Sequence, residues 1–154
     1  MTAVVAALAF VVGELTDNVS QIDKIWSVIP PIYAWIFVYT MPLNPRVLLV
    51  AILITVWSMR LTFNACRRGF YVWPPWEGEE DYRWKKLRET TFKDRKFLFV
   101  VFNFFFICGY QMCLIYFFTC PVLLTYSKVP LYWADYAASA FLLLLVSIEF
   151  IADG

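Results

Sequence analysis

The sequence predicts an all-α fold, a polytopic bundle of about five apolar transmembrane helices, and three observations lead there. Hydrophobic residues make up 62% of the chain and charged ones 16%, against roughly half and a quarter in soluble domains. The apolar residues fall in long blocks, not in the amphipathic stripes of a water-facing helix. Nine of the 13 basic residues gather in one connector, residues 67–96, the asymmetry that cytoplasmic loops show.

The first block, Met1–Gly13, lacks the basic start and small-residue cleavage site of a signal peptide. About 12 residues at 1.5 Å each reach roughly 18 Å, short of a hydrocarbon core of about 30 Å. The helix therefore continues through Leu15 or is the stump of a longer span. The second block, Ile25–Met41, contains Pro30-Pro31, which removes two backbone donors and forbids a straight helix through the pair. A short turn over Ser20–Ile29 and a helix starting at the prolines are expected. Pro45–Phe63 is the cleanest span, with proline in the favoured first turn. Phe97–Leu124 is long enough to cross with tilt, and Pro121 ends or kinks it. Ala137–Ile151 is a short last span.

The whole chain, 1–154, reads as a single transmembrane domain. With residues 67–96 in the cytoplasm, alternation places Glu14–Lys24 and the C-terminus at Asp153-Gly154 on the same side. Met41–Arg46 and Tyr126–Asp135 then face the lumen. Trp73, Trp76, Tyr82, Trp84, Tyr132 and Trp133 fall near the expected interfaces, as an aromatic belt does. The sequon Asn18-Val19-Ser20 is on the cytoplasmic side and unused.

Several chemistries are excluded. The chain has no histidine, so proton transfer must use Asp, Glu, Lys, Tyr, Cys or water. Cys66, Cys108, Cys113 and Cys120 form no CxxC pair, and no metal site is expected. A net charge of +1 offers no field to recruit nucleic acid. With five glycines and no glycine fingerprint, a soluble-type nucleotide fold is not available.

Charged groups inside a span are functional candidates. Arg60 lies near the cytoplasmic end of the third span, and Asn64 and Arg68 follow on the same face at four-residue steps. This stripe suits an anionic headgroup or a cofactor phosphate. The competing reading is snorkelling of Arg60 plus a positive-inside anchor. The stretch Trp73–Trp84 mixes Glu77, Glu79, Glu80 and Asp81 with aromatics and Arg83. It is either a specific site or a surface helix over about Glu79–Glu89 with pairs such as Asp81 to Lys85. Asp17, Gln21, Asp23 and Lys24 suit capping and topology. Asn103 and Gln111 glue helices or contact substrate. Glu149, deep in the last span, needs its proton or an arginine partner. Glu149, Tyr110 or Tyr116 could supply a proton.

Four segments carry a resemblance: Asp17-Asn-Val-Ser-Gln-Ile-Asp23 with Trp26; Trp57-Ser-Met-Arg-Leu-Thr-Phe-Asn64; Arg67-Arg68-Gly69; and Gly78-Glu-Glu-Asp-Tyr-Arg-Trp84. In this order they resemble an uncharacterised branch of the steroid 5-alpha-reductase-like membrane proteins. The resemblance implies a polytopic enzyme of the endoplasmic reticulum that reduces a carbon–carbon double bond of a lipid or steroid with NADPH. On that expectation the polar stripe Arg60, Asn64 and Arg68, with Asp81 and Arg83 of the mixed-charge loop, would meet the cofactor. Wider relatives include methyltransferases that use S-adenosylmethionine. The sequence has no Asn-Tyr-Phe-Gly-Glu-like stretch and stops at Phe150-Ile-Ala-Asp-Gly154, so it matches roughly the first two-thirds of such a protein. Three functional expectations stand beside each other. One is an incomplete lipid reductase. Another is a non-catalytic membrane subunit or pseudoenzyme of a larger assembly with membrane-protein partners. The third is a membrane methyltransferase that uses S-adenosylmethionine.

Overall fold

The computed structural model of the chain describes residues 1–153, and every regular element among them is helical. Gly154 lies outside the described residues.

Helix α1 spans Thr2–Thr16, the first of the two alternatives expected for the opening block. It ends where Asp17 turns left-handed at φ 55° and its N–H returns to Gly13 O. The expected turn over 20–29 is largely helix, α2 at Gln21–Trp26, because the Ser20 carbonyl accepts from both Asp23 and Lys24 N–H. Helix α3 covers Ile29–Thr40, with the proline pair in its first turn, where a missing donor costs nothing. Helix α4, Pro45–Arg67, runs a turn beyond the expected end at Phe63. The surface helix α5, Tyr82–Thr90, starts three residues later than expected, because Asp81 caps it by accepting from Arg83 N–H at 2.9 Å.

The stretch Lys96–Leu124 is divided into α6 (Lys96–Phe102), a π-helical segment (Asn103–Tyr110), α7 (Gln111–Thr119) and α8 (Pro121–Leu124). Pro121 breaks it after Thr119, as its sequence position implies. A Cβ on Gly109 would sit 3.0 Å from Phe104 O, five residues back, so glycine eases the wider π turn. Helix α9, Trp133–Ala152, begins four residues before the expected Ala137, and Asp135 accepts the Tyr132 N–H at 3.0 Å. Three helical stretches among the described residues are long and apolar enough to cross a membrane: α4, Lys96–Leu124 and α9. Helices α1 (15 residues) and α3 (12 residues) fall short of the roughly 20 that a crossing needs.

The chain divides into two compact units. The first joins Met1–Trp26 to Ala65–Tyr116. In it α1 runs antiparallel to the π segment: Phe10 meets Phe104 edge-on at 5.2 Å, and Asn103 donates to Glu14 Oε1 at 2.6 Å. Ile22, Ile107, Met112 and Ile115 are fully buried apolar side chains of this unit.

The second unit joins Ser27–Asn64 to the chain from Phe117 onward. Helices α3 and α4 form an antiparallel hairpin, with Trp35 Nε1 donating to Thr55 Oγ1 at 3.1 Å and Thr62 Oγ1 to Ser27 Oγ at 3.0 Å. Helices α4 and α9 run parallel. Arg46 bonds Asp135, Arg60 bonds Glu149, and Asn64 bonds Asp153, each pair offset by 89 residues. The intervening positions in the same phase, Val50, Leu53 and Trp57 on α4 and Ser139, Leu142 and Val146 on α9, are all shielded. Steps of four and three residues keep each set on one helix face, and the bonds at Arg46, Arg60 and Asn64 hold the two helices in register.

Candidate functional site

The densest buried polar cluster lies in the first unit, where the turn 17–24 meets the connector 70–88. Asn18, Ser20, Gln21 and Lys24 are all buried there. Burying such groups is costly unless each finds a partner, and each does. Asn18 Nδ2 donates to Gly78 O at 2.9 Å, and its Oδ1 accepts from Ser20 N–H at 3.0 Å. Gln21 Nε2 donates to Trp76 O at 2.7 Å. The Lys24 ammonium donates to Pro75 O at 3.1 Å and to Glu77 O. In return, Asp81 N–H donates to Ser20 Oγ at 2.8 Å, and Trp84 Nε1 to Asp23 Oδ2 at 2.8 Å. Tyr71 OH donates to Lys24 O. Gly78 has no substitute in this loop: its φ is +119°, and a Cβ would lie 2.6 Å from Phe70 O.

Arg88 closes the cluster from α5. Its Nη2 lies 2.6 Å from Glu80 Oε1, its Nη1 donates to Asp17 O at 3.1 Å, and its guanidinium sits over the Phe99 ring. Glu80 also accepts from Val19 N–H at 3.1 Å. Burial pushes the Asp23 carboxyl above its ordinary value; Asp81 adds to that push, and the donors Trp84 and Ser20 oppose it. Burial also lowers the Lys24 ammonium. Arg83, bidentate on Asp81 at 2.9 and 2.8 Å, holds that carboxyl below its ordinary value. The stretch Trp73–Trp84 is thus held to the turn 17–24 mainly through its backbone, at the carbonyls of Pro75, Trp76, Glu77 and Gly78 and the N–H of Asp81, with side-chain bonds from Glu80 and Trp84.

The other expected site residues are distributed differently. In the second unit, Arg60 lies 3.2 Å from Glu149 Oε2 through Nη1, and its Nη2 bonds Asp153 Oδ2. Asn64 donates to the same Asp153 oxygen at 3.0 Å. Arg60 and Asn64 do share a face, and carboxylates of α9 and its C-cap occupy it. Glu149 has the arginine partner that its position demanded, with its side chain half exposed. Arg68 is exposed in the first unit. Asp81 and Arg83 bond each other beside the buried cluster. Tyr110 is half exposed and stacks on Phe106 at 5.3 Å, and Tyr116 is exposed at 40%. No group of three or more Cys, Asp or Glu among the described residues is arranged to hold a metal ion.

Sequence reasoning missed the burial of Lys24, whose signal was a lone lysine between Asp23 and apolar Ile25-Trp26. Asn103 and Gln111, read as helix glue or substrate contacts, both bond across elements: Asn103 donates to Glu14 of α1, and Gln111 accepts from Trp26 Nε1 at 3.0 Å. No local pattern marked Glu14 as the partner of Asn103.

Over residues 9–154 the chain matches the family described as "Protein of unknown function (DUF1295)". It belongs to that family. An uncharacterized protein of Schizosaccharomyces pombe is 32% identical to this DUF1295 chain over 125 residues, covering 74% of the chain and 34% of the relative. The chain thus spans about a third of that protein's length. No solved structure matches it.

Proposed function

We propose that this DUF1295 chain supplies the membrane bundle of a steroid 5-alpha-reductase-like protein, which reduces a carbon–carbon double bond of a lipid or steroid with NADPH. The observation that carries the reading is the packing of its ordered signature. Asp17–Asp23 and Gly78–Trp84 bond each other as one buried unit instead of standing as unrelated stretches. In such a reaction the cofactor supplies the hydride, and the chain holds the lipid and keeps water out. An apolar groove of about 430 Å³ between α1 and the π segment, lined by Ala3, Ala6, Phe104, Phe105 and Met112, is suited to a hydrocarbon.

The residues expected to hold NADPH do not fit its phosphates as they are arranged. Arg60 commits both terminal nitrogens to Glu149 and Asp153, Asn64 donates to Asp153, and Arg83 is bidentate on Asp81. That commitment favours a second reading, a non-catalytic membrane subunit that keeps the helices without the reaction.

NADPH titration of the detergent-purified chain, read by tryptophan fluorescence and by NADPH consumption with a conjugated enone lipid, separates the two. Saturable quenching with consumption supports the reductase. No binding, together with stable co-purification of a larger membrane assembly, supports the subunit. Binding of S-adenosylmethionine instead would move the chain to the methyltransferase relatives.

A further inference from the structure

A cleft of about 420 Å³ opens in the first unit between the end of α1, α5 and the start of the Lys96–Leu124 span. Lys96 is the first residue of that span, and Phe99 and Val100, one turn in, line the apolar side of the cleft. The cleft therefore lies at the depth where lipid headgroups meet hydrocarbon.

Its charges are unequal in what they have left to bind. Glu14 accepts from Asn103, and Asp17 and Glu80 hold Arg88. Glu89 is the acid that remains on the lining. The cations differ. Among the described residues the Lys93 and Lys96 ammonium groups have no hydrogen-bond or ion-pair partner. Arg88, fixed by Glu80 and seated over Phe99, keeps a buried Nε–H without an acceptor. Two exposed, unpaired ammonium groups thus share a cleft with Phe92 and Phe99, and the Arg88 guanidinium, held by Glu80, adds positive charge beside them. A tetrahedral anion joined to an apolar chain answers both halves of that surface.

We propose that this cleft binds the phosphate-bearing headgroup of a membrane amphiphile, with Lys93 and Lys96 on the phosphate and Phe92, Phe99 and Val100 along the first carbons of its tail. The inference is independent of the reductase reading, because it uses none of the residues assigned to cofactor or proton transfer.

The full chain, purified in mild detergent, is examined by native mass spectrometry with phosphatidylglycerol or with diacylglycerol of the same acyl chains. The wild type should retain phosphatidylglycerol and not diacylglycerol. The double variant Lys93→Ala/Lys96→Ala should lose about tenfold in retention, and Lys85→Ala/Lys86→Ala, with the same charge removed from exposed α5 positions, should lose none. Unchanged helicity by circular dichroism certifies both variants. Inorganic phosphate at millimolar concentration identifies the source. Competition assigns the site to phosphate itself, and no competition assigns it to the lipid. Equal loss in the two double variants, no loss in the first, or equal retention of diacylglycerol would overturn the proposal.

Discussion

Burial raises the Asp23 carboxyl, so the native chain holds a proton there more readily than the unfolded chain does. The contribution of Asp23 to stability therefore falls as pH climbs from the ordinary carboxyl value of 3.8 through the raised one. Asp81 has the opposite sign. Its carboxyl is lowered by Arg83, so its contribution is present above 3.8 and is lost as pH falls through the lower native value. Asp23→Asn should thus gain stability relative to wild type as pH rises through the window just above 3.8, measured as Tm by circular dichroism across a pH series. A constant difference at every pH would contradict it. Trp84→Phe keeps the buried ring and removes the donor to Asp23, and should cost about 1–3 kcal/mol in denaturant unfolding. Gly78→Ala forces a side chain into left-handed backbone against Phe70 O, and a loss of about 1–3 kcal/mol or more is expected in the same assay. These residues were visible as an unusual mixture of acids and aromatics. Their partners were not, because Asn18 and Gly78 are 60 residues apart, and a sequence shows such complementarity only once a fold brings the two segments together.

The seam between α4 and α9 shows where hydropathy succeeds and where it fails. Blocks of apolar residues revealed both spans, and Pro45 marked the start of one. The contact face stayed hidden, since on α9 it is Asp135, Ser139, Leu142, Val146, Glu149 and Asp153, and half of that set is charged. Membrane helices pack through small and polar residues because lipid already satisfies the apolar ones. The Arg60–Asn64 stripe was legible as a polar face, and its occupant, Asp153, lies 89 residues from Asn64. The π segment was invisible for a different reason: Asn103–Tyr110 is uniformly apolar around Asn103, and no periodicity distinguishes a wider turn. Asp153 is the acid that both Arg60 and Asn64 bond, so Asp153→Asn leaves Arg60 with Glu149 alone and should lower the Tm read by circular dichroism. An unchanged Tm would mean that this end of the seam does not hold α9 on α4.

Parallel packing of α4 and α9 fixes a relation between spans that charge counting alone supplied only as an expectation. Two helices that cross in the same direction require the stretch between them, Lys96–Leu124, to return across the bilayer. Arg46 and Asn64 lie 18 positions apart, about 27 Å along a helix, so the charged clamps stand near the two faces of a hydrocarbon core of about 30 Å. The charge asymmetry, nine of 13 basic residues in the connector 67–96, makes the cytoplasmic face the side expected for that connector. The most direct measurement is labelling by a membrane-impermeant maleimide in sealed vesicles of known orientation. It compares a chain whose sole cysteine is the exposed Cys66 with one whose sole cysteine is Lys128→Cys, also exposed. Cys66 should label only when the cytoplasmic face is outward, and position 128 only when it is inward. Labelling of both positions from one face would mean that Lys96–Leu124 does not cross the bilayer.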